Sequence, residues 1–254
     1  MEKIYIAHPL SLGDYFVCNA LVRDRAIAQE VIYLPVVPQF MNTVKCLYQD
    51  HDNIIVIPYL GEFVEQQYIQ ENNLTLVDWR LDPAMTLVKL EDGGESVSIA
   101  INYDRQLYEH LGYGFHQRYQ GFCLPTVLDN SDTLYTQLNP DNQPYVLWHK
   151  YTSKHVGGMP IPLEQWRVAA SLPEKKIINV ELGQTTNLLD YVTLIRNADE
   201  IHCVHSSFYQ LVDSLWDKTH AQLFYHDYRE DIMNQINCRW NNHRWIRVSY
   251  PGKI

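Results

Sequence analysis

Lys3-Ile4-Tyr5-Ile6-Ala7-His8-Pro9-Leu10-Ser11-Leu12-Gly13-Asp14 is the stretch on which the fold turns. Residues 3–7 form a short apolar run that stops at His8-Pro9, and from Tyr15 onward Phe16, Ala20, Val22 and Ile27 recur at helical spacing. The segment therefore reads as strand, glycine-containing turn, helix. Outward from it the same unit repeats. Residues 30–37 are rich in β-branched side chains and bounded by prolines, a second strand. Pro38 suits the first turn of a helix whose apolar face is Phe40, Val44, Leu47 and Tyr48. Residues 53–58 are a continuous apolar run, as expected of a parallel strand covered on both faces. A helix over 61–70 and a strand over 74–78 complete a doubly wound first lobe.

From 80 to 130 the pattern is less regular, with a turn at Asp92-Gly93-Gly94 and partial helix between Tyr103 and Phe122. Residues 128–144 collect Asp, Asn, Ser, Thr and two prolines, the composition of a linker. Strand–helix alternation then restarts. Strands are expected at 145–148, 176–180, 200–204 and 222–225, and helices at 163–170, 188–196 and 208–216. The expected fold class is α/β, with two Rossmann-like doubly wound lobes spanning residues 1–138 and 139–254.

With 254 residues, 46% of them hydrophobic and 20% charged, the chain has the composition of a globular protein. Its net charge of −10 repels polyanions, which argues against nucleic-acid binding and limits membrane contact to the periphery. Small anionic ligands stay open, since a few backbone N–H groups and one or two cations suffice for them. The N-terminus lacks the basic start and long apolar run of a signal peptide, and no stretch approaches the length of a membrane helix. The five cysteines, scattered and without a C-x-x-C pair, fit reduced thiols; the expectation is a cytoplasmic protein. The 18 tyrosines and 6 tryptophans suit core packing first and sugar stacking second.

Two strand-to-helix junctions carry candidate chemistry, because ligands of open parallel sheets collect beyond the carboxyl ends of the strands. At the first, Gly13 permits close backbone approach or a positive φ, and Asp14 falls in the first helical turn. Asp14 or Ser11 is a helix cap on one reading; on the other, Asp14 is a base for a sugar hydroxyl, with His8 as runner-up or orienting partner. At the second, Ser206 and Ser207 follow a strand and His205, and open a helix whose N–H groups suit a diphosphate; an ordinary serine cap is the alternative. Lys150 and Lys154 lie in a loop with Gly157 and Gly158. They are either solvated lysines or the cations that neutralise a diphosphate leaving group in place of a metal. Neither a P-loop nor a G-x-G-x-x-G motif is present. Asp50-His51-Asp52 has the D-x-D form of metal-dependent sugar transferases but reads better as a polar turn. His202, Cys203 and His205 suggest a metal weakly, since alternation sends His202 and Cys203 to opposite faces.

The opening strand, Leu12-Gly13-Asp14 and the helix reaching Arg23 resemble the start of GT-B glycosyltransferases of the heptosyltransferase kind. The stretch from Asn197 to Asp213 resembles their donor-phosphate motif, and the serine pair is similar to that of fucosyltransferase-like relatives. Residues 108–119, Arg118 included, are like the segment that closes the first lobe. The chain departs from the heptosyltransferase pattern at His205, Ser207 and Gln210. The resemblance implies a GT-B glycosyltransferase that moves a sugar, with inversion and without a metal or other cofactor, from a nucleotide-sugar donor to a glycan or glycolipid acceptor. It places the reaction between the lobes and in polysaccharide biosynthesis. Asp14 would be the base, with His8 beside it. Ser11, Gly13 and Arg118 would contact the acceptor, and Lys150, Lys154, His205, Ser206 and Ser207 the donor diphosphate. A sugar-nucleotide epimerase or hydrolase of the same fold, or a non-catalytic carbohydrate- or nucleotide-binding protein, is the alternative.

Overall fold

The computed structural model describes residues 2–28, 30–80, 87–89, 95–97, 103–128, 130–151, 175–181, 183–227 and 244–249. The chain divides into two compact units, Met1–Val127 and Leu128–Ile254. The division falls ahead of the 138/139 boundary expected from composition. The polar stretch read as a linker holds a helix, Ser131–Leu138, that belongs to the second unit. Ser131 and Asp132 at its start are bound to Thr193: the Thr193 N–H donates to Ser131 Oγ at 2.8 Å and the Thr193 hydroxyl to Asp132 at 2.7 Å. Polar composition here marks a helix start rather than free chain.

In unit 1, strands β1 (Lys3–Ala7), β2 (Val31–Val36), β3 (Ile54–Pro58) and β4 (Thr75–Asp78) form a wholly parallel sheet in the order β3-β2-β1-β4. β1 is central, and Ile4, Tyr5, Ile6 and Ala7 are all buried. β3 is an edge, which corrects the expectation of a strand covered on both faces: Ile55 is 37% exposed. Its apolar run reflects β propensity more than burial. Helix α1 (Leu12–Ile27) is buried on more than one face, because residues 103–123 lie over its outer side. The Tyr108 hydroxyl donates to the Val17 carbonyl at 2.8 Å, and the Cys123 N–H to Asn19 Oδ1 at 3.0 Å. A Cβ on Gly121 would come within 2.8 Å of the Ala20 Cβ, so this contact requires glycine. Helix α2 (Met41–Leu47), preceded by a 3₁₀ turn at Pro38–Phe40, and α3 (Glu62–Glu71) fill the crossovers. A two-stranded antiparallel ribbon, β5 (Leu87–Lys89) with β6 (Glu95–Val97), precedes α4 (Tyr103–His110) and α5 (Gln117–Gln120). The turn expected at residues 92–94 lies outside the described residues.

Unit 2 begins with α6 (Ser131–Leu138) and continues with β7 (Tyr145–His149), β8 (Lys176–Asn179), α7 (Val192–Asn197), β9 (Glu200–Cys203), α8 (Ser207–Ser214), β10 (Gln222–Asp227) and β11 (Trp245–Ser249). Its sheet is parallel throughout, in the order β11-β10-β9-β7-β8. β7 and β9 are buried along their whole length. The edge strand β11 has no counterpart among the expected strands: with Ile246 and Arg247 exposed it offers little apolar signal. The expected helix at 163–170 lies outside the described residues. Among the described residues no helix is long and apolar enough to cross a membrane.

Candidate functional site

Each of the two parallel sheets, as described, contains one point at which the chain reverses direction across the sheet. In unit 1 the chain runs from β1 out to β2 and β3, then returns to place β4 on the other side of β1. In unit 2 it runs from β7 to β8, then returns to place β9 on the other side of β7. Such reversals splay the following helices apart and leave a crevice beyond the carboxyl ends of the two central strands. The β1–β4 register ends at Ala7 and Asp78, and the β7–β9 register at His149 and Cys203. The residues singled out in the sequence at 8–14 and at 150 and 205–207 immediately follow these strand ends.

In the unit 1 crevice Ser11 is the N-cap of α1, with extended backbone (φ −76°, ψ 149°). Asp14 Oδ2 accepts from the Ser11 N–H at 3.0 Å and from the Ser11 hydroxyl at 2.7 Å, one half of a capping box. The capping role weighed for Asp14 is thus present, and it fixes the carboxylate beside the first turn. Burial pushes the Asp14 carboxyl up to about 6, against the lowering effect of the two Ser11 bonds. Gly13 is a buried residue of the first helical turn, and among the described residues the positive-φ glycines are Gly61, Gly112 and Gly183. Its expected value as a positive-φ position is therefore set aside; what it offers is the lack of a side chain.

His8 is buried, edge-on to Tyr15 with ring centroids 4.5 Å apart, and burial holds its pKa down at about 4. Across the crevice, the Arg80 guanidinium binds Asp78 through Nε and Nη2 (2.9 and 2.6 Å) and lies 3.7 Å from Glu65. Trp79, between Asp78 and Arg80, is buried and donates its backbone N–H to Ala7 O at 2.7 Å. Arg118 is fully buried, ion-paired with Asp104 of α4 and packed over the Tyr119 ring at 4.9 Å, so it ties α4 and α5 together over α1.

In the unit 2 crevice Ser206 is the N-cap of α8 (φ −166°, ψ 175°). Its Oγ accepts from the Tyr209 N–H at 3.2 Å, donates to Val204 O at 3.1 Å and lies 3.4 Å from His149 Nδ1. The Ser206 side chain is engaged by the protein itself, leaving Ser207 as the half-buried hydroxyl at the helix start. His205 leans on Tyr209, with centroids 5.7 Å apart. His149 stacks on Phe208 at 5.0 Å, and burial lowers its pKa to about 3. Lys150 follows β7, with Nζ 3.5 Å from Glu181 Oε1 and 5.4 Å from the centre of the Tyr151 ring. The Tyr151 hydroxyl donates to Glu181 Oε2 at 2.8 Å. Lys154 lies outside the described residues.

Sequence reasoning missed Trp79, His149 and Glu181. The first two follow or end apolar strands and look like core residues until the strand order is known. Glu181 carries no local signal. The remaining sequence motifs resolve structurally. Asp50 of the D-x-D stretch is held by Arg23 through two 2.9 Å bonds. His202 is buried between Glu200 (3.3 Å) and His226 (2.8 Å). Among the described residues no group of three or more His, Cys, Asp or Glu is arranged to hold a metal ion.

No protein-family model matches the chain, and no curated protein matches it by sequence. Solved structures do match. A glycosyl transferase family 9 protein from Veillonella parvula superposes with a TM-score of 0.57 at 9% identity, covering 98% of this chain and 87% of that one. E. coli ADP-heptose LPS heptosyltransferase II gives 0.55 at 12% identity, with 100% and 94% covered. E. coli heptosyltransferase WaaC with ADP gives 0.53 at 13% identity, with 99% and 94% covered. The chain shares the two-unit α/β fold of these GT-B proteins over its whole length, in agreement with the expected fold class.

Proposed function

We propose that this chain is a glycosyltransferase that moves a sugar from a nucleotide-sugar donor to a carbohydrate acceptor. One observation carries the reading. Each unit has a single reversal point in its described parallel sheet; His8 and Asp14 follow it in unit 1, as Lys150, His205, Ser206 and Ser207 do in unit 2. Unit 1 would take the acceptor, with the half-buried Asp14 removing the proton from the attacking hydroxyl. A carboxylate whose pKa is raised to about 6 is a better-matched base near neutrality than an ordinary aspartate. Inversion at the anomeric carbon follows from direct attack. His8, at about 4, has too little proton affinity for that task and suits orientation of the acceptor instead.

Unit 2 would take the donor. The first-turn N–H groups of α8 and the Ser207 hydroxyl would hold the diphosphate, with His205 at the edge. Lys150 would exchange its Glu181 contact for the leaving diphosphate, with Lys154 as a second cation and no metal required. Ser11 and Gly13 would shape the acceptor side; Arg118 supports α1 from behind.

The test is a thermal-shift panel of ADP-, GDP- and UDP-sugars, with ADP-linked sugars first because two structural neighbours carry ADP or ADP-heptose in their names. Turnover is then measured with and without glycan acceptors and with EDTA. Acceptor-dependent, EDTA-resistant transfer that D14N abolishes is expected. Conversion of the donor alone would instead indicate an epimerase or hydrolase, and stabilisation without turnover a binding protein. An Asp14→Asn variant with undiminished transfer removes Asp14 as the base.

A further inference from the structure

Two buried polar atoms at the unit 1 crevice have no hydrogen-bond partner among the described residues: His8 Nε2 and Trp79 Nε1. Each side chain is only 2% exposed. They sit one residue beyond the register pair Ala7–Asp78, on the two strands that border the reversal point. Alternation places them on one face of the sheet. Tyr5 and Ala7 pack with Tyr68 and Ile69 of α3, and Arg80 reaches Glu65 of the same helix. His8 meets Tyr15 of α1. Residues 7, 78 and 80 therefore belong to the α3 side, and residues 8 and 79 to the α1 side, where Ser11, Gly13 and Asp14 begin the helix.

The chemistry of the pair is asymmetric. His8 Nδ1 lies 2.5 Å from the Pro9 carbonyl, which can only accept, so Nδ1 carries the ring proton. Burial keeps the ring neutral. Nε2 is then a lone-pair acceptor, whereas the indole Nε1–H only donates. At neighbouring positions across the β1–β4 pair they supply one acceptor and one donor. A phosphate or carboxylate has no proton for His8, and an ammonium has no lone pair for Trp79. An alcohol has both. We infer that His8 and Trp79 form a hydroxyl-reading subsite that holds one sugar hydroxyl through paired bonds, donated to His8 Nε2 and accepted from Trp79 Nε1–H. The inference rests on unit 1 being the acceptor unit. Both residues act in positioning and selecting the sugar; neither exchanges a proton with it.

Trp79 is the tryptophan of unit 1, the remaining five lying in unit 2, so its indole signal is assignable with W79F. The experiment uses ¹⁵N-labelled full-length protein titrated with methyl α-D-mannopyranoside and methyl β-D-glucopyranoside up to the solubility limit. The expected result is a saturable shift of the Trp79 indole N–H with at least one of these. The affinity should fall roughly tenfold in H8F, as for loss of one well-made hydrogen bond. Long-range ¹⁵N spectra at neutral pH should show His8 Nε2 as the unprotonated nitrogen and move with the same titration. A silent Trp79 signal overturns the subsite, as does an equal response in H8F or a proton on Nε2. A captive water bridging the pair would give the silent outcome. Nucleotide-sugar binding is scored separately by thermal shift. Its failure with the Trp79 response intact removes the transferase reading, while binding with Trp79 silent removes the subsite alone.

Discussion

Replacing Asp14 by asparagine should make unit 1 more stable at pH 8 while removing activity. Two effects of the carboxylate oppose one another. It accepts two hydrogen bonds from Ser11, which the amide oxygen of the substituted side chain can retain in part, and it carries a charge that burial disfavours. A carboxyl raised from 3.8 to about 6 represents roughly 3 kcal/mol against the ionised form. Asp14 keeps some exposure, so solvent screening reduces this to about 1–2 kcal/mol. The sign follows from linkage: the folded value exceeds the unfolded one, so wild-type stability falls as pH rises from about 4 to 6 and is level above that. D14N lacks that slope. Urea unfolding of both proteins at pH 4.5 and pH 8, followed by the Trp79 signal, should therefore show a difference in favour of D14N that appears only at the higher pH. A difference of the same size at both values, or a D14N protein that is less stable at pH 8, would refute the reasoning and leave Asp14 a simple helix cap.

Other consequences are checked in the same way. R118A should cost about 3–5 kcal/mol by leaving Asp104 buried and unpaired, with acceptor KM unaffected in the fraction that remains folded; an intact fold with a raised KM would return Arg118 to the acceptor site. S206A should lower stability by about 1 kcal/mol through loss of the α8 cap, whereas S207A should leave stability unchanged and weaken nucleotide-sugar binding severalfold; isothermal titration paired with urea unfolding separates the two. His149, His202 and His226 are buried with pKa values depressed by burial, so their contribution is complete above about pH 6.5 and is lost as pH falls. Below that value unit 2 should lose up to about 1.4 kcal/mol per histidine per pH unit, and a flat profile between pH 6.5 and 5 would contradict their placement.

Much of the fold is legible because its strands are apolar runs with breaks at Pro, Gly or polar clusters. Residues 3–7, 145–149 and 200–203 are all central strands, where burial and sequence agree. The failures have physical causes. The run at 54–58 looks central and is an edge, since hydrophobicity does not encode strand order. Ser131–Leu138 looks like linker because its first turn is polar, yet those polar groups are spent on Thr193. At the site, Asp14 and Ser206 can be found from their place after a strand. Trp79 and Glu181 cannot, because what makes them notable is a neighbour distant in sequence. Arg118 reads in the sequence as a lone arginine in a promising segment, and its ion pair with Asp104 is one that no spacing rule reveals.

The parallel order of both sheets also bears on how the molecule comes into being. Ala7 meets Asp78, and His149 meets Cys203, only after the intervening chain has been threaded through the crossover connections of a parallel sheet. Until then β1 and β7 each present a bare, apolar ladder to solvent, open to pairing with another chain. Neither crevice exists in a nascent chain that has yet to release its second central strand. A ribosome-bound or truncated polypeptide ending before residue 75 should accordingly be blind to sugars and prone to self-association, and the arrival of β4 both seals the edge and creates the pocket mouth in one event.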